Sequence, residues 1–260
     1  MLKSHHWWRR AQNYPGPDGP AAIRRAPDSA PASASPAQVL RLATYNIQLA
    51  DRLDRVAHVV QREPVLAGAD ILALQEADEA AVERLAANDF GYVYYASSRH
   101  PSTKRNFGPA VLSRWPILDH AKVVLPGADQ TGRLLRIAVR TTLNLHGIRV
   151  RCYSIHLSTL WESDARGQDE QARAVVRDAE GSQDPVIVIG DLNRQGTAAV
   201  FQRHGYQWLT RDVGATHYVW SFDHIFVRGL GPARVSAGAI ARGLEASDHK
   251  AVFAEMTLCR

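Results

Sequence analysis

Val186-Ile187-Val188-Ile189-Gly190-Asp191-Leu192-Asn193 decides the fold. Four consecutive β-branched residues read as a strand covered on both faces. Gly190 ends the strand and lets the backbone turn closely, and Asp191 and Asn193 follow two residues apart. In extended backbone that spacing points both side chains the same way, toward one water or one phosphate oxygen. An Asx turn capping the next segment is the plainer use of such a pair. Working outward, the same design recurs. Thr44-Tyr45-Asn46, Leu72-Ala73-Leu74-Gln75-Glu76 and Tyr153-Ser154-Ile155-His156-Leu157 each set a polar residue at or near the end of an apolar run. Phe222-Asp223-His224-Ile225-Phe226-Val227 places a carboxylate in another, and Ser247-Asp248-His249 precedes the last, Ala251 to Met256. A charge at the end of a buried strand is rarely found unless paired or metal-bound. One such cluster is a structural residue or a solvated strand end; all of them together describe one active site assembled from many segments. Carboxylates, amides and imidazoles without paired cysteines suit a hard, oxygen-bound cation and phosphate chemistry. Asp223 needs a partner in its apolar stretch, and His249 is the candidate, because an imidazole oriented by a buried carboxylate is a recurring catalytic device. His224 faces the other way, with a structural role and a substrate contact both open.

From residue 39 onward, apolar runs alternate with helical patterns. Val39 to Ile47, Ile71 to Leu74, Tyr92 to Ala96, Ala110 to Ser113, Leu118 to Leu125, Leu134 to Leu145, Ile148 to Leu157, Val186 to Ile189, Asp223 to Val227 and Ala251 to Met256 read as strands. Leu53, Val56, Ala57 and Val60 share one helical face, and further helices are expected over 80–87, 163–180 and 197–204. The fold class is therefore α/β (α+β), two packed sheets with helices outside them.

Composition narrows the possibilities. The chain has 260 residues, 45% of them hydrophobic, enough for a proper core. Its two cysteines, Cys152 and Cys259, exclude a disulfide scaffold and a zinc knuckle. No apolar run reaches the roughly 18 residues of a membrane span, and Met1 to Arg10 lacks the apolar stretch of a secretory signal. A monomeric cytoplasmic protein is expected. Of the net charge of +5, +3 lies in residues 1–38, so the remainder is nearly balanced and offers no strong non-specific grip on nucleic acid. Residues 1–38 read as a basic tail whose Pro- and Ala-rich part (15–38) is disordered, with the catalytic domain over 39–260. His5-His6-Trp7-Trp8-Arg9-Arg10 within it suits an anionic surface or a partner, or an idle tail.

Taken in order, these motifs resemble those of the endonuclease/exonuclease/phosphatase superfamily, the DNase I-like metal-dependent phosphoesterases, over about residues 39–260. The resemblance implies a four-layered sandwich of two mixed sheets flanked by helices. It also implies Mg²⁺, or Mn²⁺, as cofactor and a phosphoester as substrate. Glu76 resembles the principal metal ligand, Asn46 its neighbour and Asp248 a further metal-site carboxylate. Asp191 resembles the residue that orients or deprotonates the attacking water, and Asn193 a stabiliser of developing charge. His249, held by Asp223, and His156 resemble the two phosphate-contacting histidines. Asn106-Phe107-Gly108-Pro109-Ala110-Val111-Leu112-Ser113-Arg114-Trp115-Pro116 resembles a family segment written G-N-A-I-L-S-R-x-P, with Pro109 in place of its Asn. The polar basic loop before it supplies Lys104, Arg105 and Asn106 as substrate-binding candidates. A phosphodiesterase or phosphatase acting on a small or lipid-linked phosphoester is the leading expectation. A DNA or RNA nuclease and an inactive binding protein on the same fold are the alternatives.

Overall fold

The computed structural model describes residues 11–25, 39–87, 89–127, 134–241 and 245–258. The stretch His5 to Arg10, residues 26–38 and Cys259 lie outside the described residues. In chain order the strands are β1 (Gln12–Asn13), β2 (Ala21–Arg24), β3 (Val39–Asn46), β4 (Ile71–Ala77), β5 (Gly91–Tyr95), β6 (Ser98–Arg99), β7 (Asn106–Ser113), β8 (Ile117–Val124), β9 (Ile137–Leu145), β10 (Ile148–His156), β11 (Val186–Asp191), β12 (Gln207–Trp208), β13 (Asp223–Arg228), β14 (Pro232–Ala239) and β15 (Val252–Leu258). The helices are α1 (Leu53–Arg62), α2 (Pro64–Ala67), α3 (Glu79–Ala86), α4 (Ala165–Glu180) and α5 (Ala198–Arg203). Asp78 and Asp164 start α3 and α4 by accepting hydrogen bonds from Ala81 N at 2.8 Å and Gly167 N at 2.7 Å.

One sheet runs β1-β6-β7-β4-β3-β15-β14, with β5 joining β2 to β7; the other runs β12-β13-β11-β10-β9-β8. Only β3–β4 and β10–β11 pair in parallel, so both sheets are mixed. Alternation along each strand builds the layers. Leu42, Ile71 and Ala73 face Ile137, Cys152, Ile187 and Ile189 across the inter-sheet core. Ala43, Tyr45, Leu72 and Leu74 point the other way, under Val56 and Val60 of α1 and Val82 of α3. Val186 and Val188 likewise meet Val175 and Val176 of α4 and Phe201 of α5. The order is helices, sheet, sheet, helices, as expected.

Two departures have identifiable causes. The tail expected over 1–38 is not all outside the fold: β2 pairs with β5, and β1 with β6. Arg24 Nη2 donates to Phe90 O at 2.7 Å, and Tyr14 Oη to Asn106 Oδ1 at 2.9 Å. Residues 11–25 are held by main-chain pairing and a few polar links, which an argument from apolar composition does not register. Strand β14 has no counterpart in the sequence reading, because Pro232, Ala233, Ala237 and Gly238 give it neither alternation nor β-branched bulk.

Parallel pairing sets the position of the site. The C-terminal ends of β3 and β4 fall on one edge of the first sheet, and those of β10 and β11 on one edge of the second. Asn46 is level with Gln75, and His156 with Asp191; Asp223, opening β13, is level with Asp191 on its other side. Gly190 holds φ +148°, and a Cβ there would lie 2.0 Å from Ile155 O, so only glycine lets β11 approach β10 this closely before Asp191.

Candidate active site

Asp191 stands at the centre. Its Oδ2 accepts from Asn46 Nδ2 at 3.0 Å, a bond that joins the two sheets, and its Oδ1 accepts from Asn193 N at 2.7 Å. His156 Nε2 lies 3.5 Å from Oδ2 and His249 Nε2 3.7 Å. On the far side of that imidazole, His249 Nδ1 is 2.9 Å from Asp223 Oδ2. The pairing expected between Asp223 and His249 is therefore present in the geometry. Asn193, at φ +52°, turns its side chain back to donate to Leu157 O at 2.9 Å.

Glu76 arrives by a distortion of its strand. Between the pairs Leu74–Ala110 and Ala77–Gly108, two residues of β4 oppose the single residue Pro109 of β7. Proline has no N–H for the ladder, and a bulge is where a strand tolerates that loss. Glu76 takes φ +57° within the bulge, and its Oε2 accepts from Leu49 N at 3.0 Å. The backbone it meets is unusual: Gln48, Leu49 and Ala50 have φ of +50°, +54° and +52°. Such conformations cost of order 1 kcal/mol each for non-glycine residues and persist only where the surroundings fix them. Here Gln48 N donates to Asn46 Oδ1 at 3.1 Å, and the Arg105 guanidinium holds Leu49 O.

The basic loop makes further contacts of this kind. Arg105 also pairs with Asp78 at 2.9 Å, and Asn106 donates to Glu79 Oε1 at 2.9 Å while accepting from Tyr14. Both side chains are thereby tied to the framework around the site. Lys104, exposed at φ +60°, keeps its ammonium clear of any partner among the described residues.

Asp248 sits across the site, its Oδ2 3.5 Å from His217 Nε2. His217 was not anticipated. Its ring lies 4.4 Å from that of His249, and its backbone bridges to both His249 and Trp220. No strand pattern leads to it in Ala215-Thr216-His217-Tyr218-Val219-Trp220. Asp191, Asp223 and His249, and separately His217, Asp248 and His249, have donor atoms mutually within 4.8 Å.

The electrostatics follow from this crowding. Burial and the neighbouring carboxylates Asp248 and Asp191 push Glu76 up to about 7, against a lowering effect from Arg136 and His249. Burial raises Asp191 as well, opposed by His249. Burial, with Arg136 and His249 nearby, holds His156 well below the ordinary histidine value, so it is neutral. Burial disfavours charge on His249 too, but Asp223, Asp191 and Asp248 outweigh it and push it up to about 10. For Asp248, burial is outweighed by the hydrogen bond with His217 and by His249, which hold it below the usual carboxylate range. A divalent cation answers the repulsion among these acids. Glu76 Oε1 lies 4.0 Å from His156 Nε2, and the buried Asp223 Oδ1 has no hydrogen-bond partner among the described residues. An oxygen-rich set with unused acceptors fits a hard divalent cation.

His224 is resolved by its surroundings. It is fully buried, 3.4 Å from Thr210 Oγ1 and 3.2 Å from Ser221 O, with Trp208 edge-on, so its role is structural. Burial lowers its pKa below 6.5. As pH falls below 6.5, the unfolded chain takes up a proton that the folded protein refuses, and stability declines. Urea unfolding of metal-free protein between pH 7.5 and 5 is expected to show that decline, and His224→Gln to reduce it. An unchanged slope in the variant would assign the pH dependence to another group.

Two mixed sheets inside two helical layers, with carboxylates, amides and imidazoles meeting where the strands end, define a metal-dependent hydrolase of phosphoester bonds. The chain belongs to the Endonuclease/Exonuclease/phosphatase family, whose model matches residues 43–249. A comparison with curated proteins gives no match. Among solved structures, it is similar to an endonuclease/exonuclease/phosphatase from Beutenbergia cavernae, with 22% identity, TM-score 0.67, and 85% of this chain and 72% of that one covered. The endonuclease/exonuclease/phosphatase from Bacteroides vulgatus matches at 18% identity and TM-score 0.68, covering 85% of this chain and all (100%) of the other. Sphingomyelinase C from Streptomyces griseocarneus matches at 20% identity and TM-score 0.65, covering 85% and 99%. No helix among the described residues is long and apolar enough to cross a membrane.

Proposed function

We propose that the protein is a Mg²⁺- or Mn²⁺-dependent phosphodiesterase acting on a small or lipid-linked phosphodiester. The observation that carries the reading is the chain Asn46–Asp191–His249–Asp223, closed by contacts of 3.0, 3.7 and 2.9 Å across both sheets. Glu76, Asn46 and Asp248 would hold the cation, which when bound supplies positive charge to the phosphate oxygens. Asp191, fixed by Asn46 and Asn193, aims a carboxylate oxygen at the site between two imidazoles. From there it orients the attacking water and takes its proton. His249 Nε2 and His156 Nε2 present N–H groups where charge gathers on phosphorus-bound oxygens, and Asp223 keeps His249 in register. Lys104, exposed and with its ammonium unpaired among the described residues, is available to meet a substrate phosphate.

Polynucleotide is the weaker substrate. Arg105 is committed to Asp78 and Leu49, and Arg194 to Asp169. A strand presents one charge per nucleotide and needs several free cations to grip it. The structural likeness to a sphingomyelinase C agrees with a small or lipid-linked diester.

The test is release of p-nitrophenol from bis-p-nitrophenyl phosphate with Mg²⁺ or Mn²⁺, beside p-nitrophenyl phosphate and supercoiled plasmid. Diester hydrolysis abolished by EDTA and restored by metal is expected, with little nicking of plasmid. Efficient nicking would turn the assignment to a nuclease, and no turnover of any phosphoester would overturn it.

A further inference from the structure

Beside the catalytic centre lies an open cleft of about 920 Å³ between residues 159–161 and the segment 211–222. Its wall includes Asn193 and His217, so it is continuous with the site: His217 stacks near His249, and Asn193 binds the Asp191 carboxylate. Leu160, Trp161, Val219 and Trp220 in its lining are large, apolar and turned to solvent, beside the polar Thr159, Gln195, Arg211 and Ser221, and Tyr218 adjoins them. Trp161 is 89% exposed, Val219 78% and Trp220 60%, with Leu160 and Tyr218 also exposed. Five such residues on two neighbouring segments are not the scattered apolar surface of an ordinary monomer.

The segments carrying them are firmly held. Glu162 beneath Trp161 is buried against Arg136 at 2.7 Å and accepts from Thr159 N at 2.9 Å. Thr216 Oγ1 accepts from Phe222 N and Asp223 N at 3.0 and 3.2 Å, while Lys250 N donates to Thr216 O at 2.7 Å. The turn His217–Trp220 closes with backbone bonds in both directions, at 3.0 and 2.8 Å. Anchored backbone beneath exposed aromatic side chains is pre-organised for a ligand, since little ordering is left to be done on binding.

We propose that this cleft is the specificity pocket of the enzyme and takes a large apolar or aromatic ester group of the phosphodiester, carried past His217 and Asn193 from the phosphate at Asp191 and His249. The proposal rests on the phosphodiesterase reading and names its substrate class. Stacked nucleobases would use the same tryptophans. However, Arg194 is bound to Gln168 Oε1 at 2.8 Å and to Asp169, which leaves Arg211 as the arginine lining the cleft without an ion-pair partner among the described residues. An uncharged apolar group matches that lining better than a polyanion.

The experiment compares methyl p-nitrophenyl phosphate with octyl p-nitrophenyl phosphate, below its micelle concentration, in the metal-loaded enzyme and in the Trp161→Ala/Trp220→Ala variant. The wild type should prefer the octyl ester in kcat/KM by at least about tenfold, which roughly two buried methylenes supply. In the variant the ratio should fall to within about threefold of one, chiefly through KM. Equal rates on both esters in the wild type, or the full preference surviving in the variant, would overturn the proposal. So would inhibition of octyl turnover by a single-stranded oligonucleotide at lower concentration than by octyl phosphate. Calorimetric titration with monomeric octyl phosphate separates this idea from the reading beneath it. A saturable response lost in the variant, without hydrolysis of either ester, would sustain the pocket and remove the phosphodiesterase. A response to phosphatidylcholine vesicles alone would replace the pocket with a membrane-docking surface.

Discussion

Asp191→Ala is expected to turn over phosphodiesters about 10²–10⁴ times more slowly than the wild type and to remain folded. The size of the loss follows from where the carboxylate sits. It contacts Asn46, Asn193, His156 and His249 at once, so its removal leaves no other acid positioned between the two imidazoles. Folding should not suffer in proportion. Burial raises the pKa of Asp191 above its unfolded value of 3.8, so in metal-free protein the ionised group costs stability at neutral pH, a cost that disappears below about pH 3.8. A site that holds like charges together gives up stability for function. Urea unfolding of the metal-free variant is therefore expected to show a midpoint no lower than the wild type's, while kcat collapses. Wild-type kcat at normal metal content would remove Asp191 from the mechanism. A large fall in the unfolding midpoint would show that the carboxylate supports the fold.

The residues that the sequence exposes most clearly are those that end long apolar strands. Asp191, Asn46 and His156 each close a strand whose apolar run can be read directly, and parallel pairing then brings those ends to one edge. Asp223 is legible for a different reason: a carboxylate inside an apolar run has to be paired, and His249 is its partner at 2.9 Å. What escapes is whatever depends on tertiary contact. His217 lies in a turn without periodicity, and only the fold lays it against His249. Arg105 and Asn106 look like phosphate ligands in a polar basic loop, but Asp78 and Glu79 come from the start of α3 to meet them. Strands β1 and β2 hide in a Pro- and Gly-rich stretch because their stability comes from partners distant in the chain.

Pro109 joins these two cases. As a departure from the family segment it puts a residue without a polar side chain or an N–H where that segment has Asn. In the structure it stands opposite the two-residue bulge that carries Glu76 toward the site. The substitution and the strained glutamate belong to one local design, in which a missing N–H is matched by a strand that has already left the ladder.

His249→Ala and Asp223→Ala test whether the pair acts as one device. Each is expected to lower kcat by at least about 10²-fold, and the double variant by no more than the worse single one, because groups working as a unit lose their effect together. The physical reason is the division of roles in the pair. His249 turns Nε2 toward Asp191 only while Nδ1 is anchored on Asp223 Oδ2, at 2.9 Å. Without that anchor the ring is free to rotate, and its N–H is no longer aimed where phosphate charge develops. Asp223 thus acts as a positioning residue, and its variant should lose kcat with KM little changed. Calorimetric titration with Mn²⁺ should show near-normal metal affinity in both single variants, since Glu76, Asn46 and Asp248 are intact. Added imidazole should restore part of the rate in His249→Ala, where removing the side chain leaves space for it, and none in Asp191→Ala. Losses that multiply in the double variant would mean that Asp223 and His249 contribute separately. In that case Asp223, whose Oδ1 is buried without a partner among the described residues, would be better placed among the metal-site carboxylates.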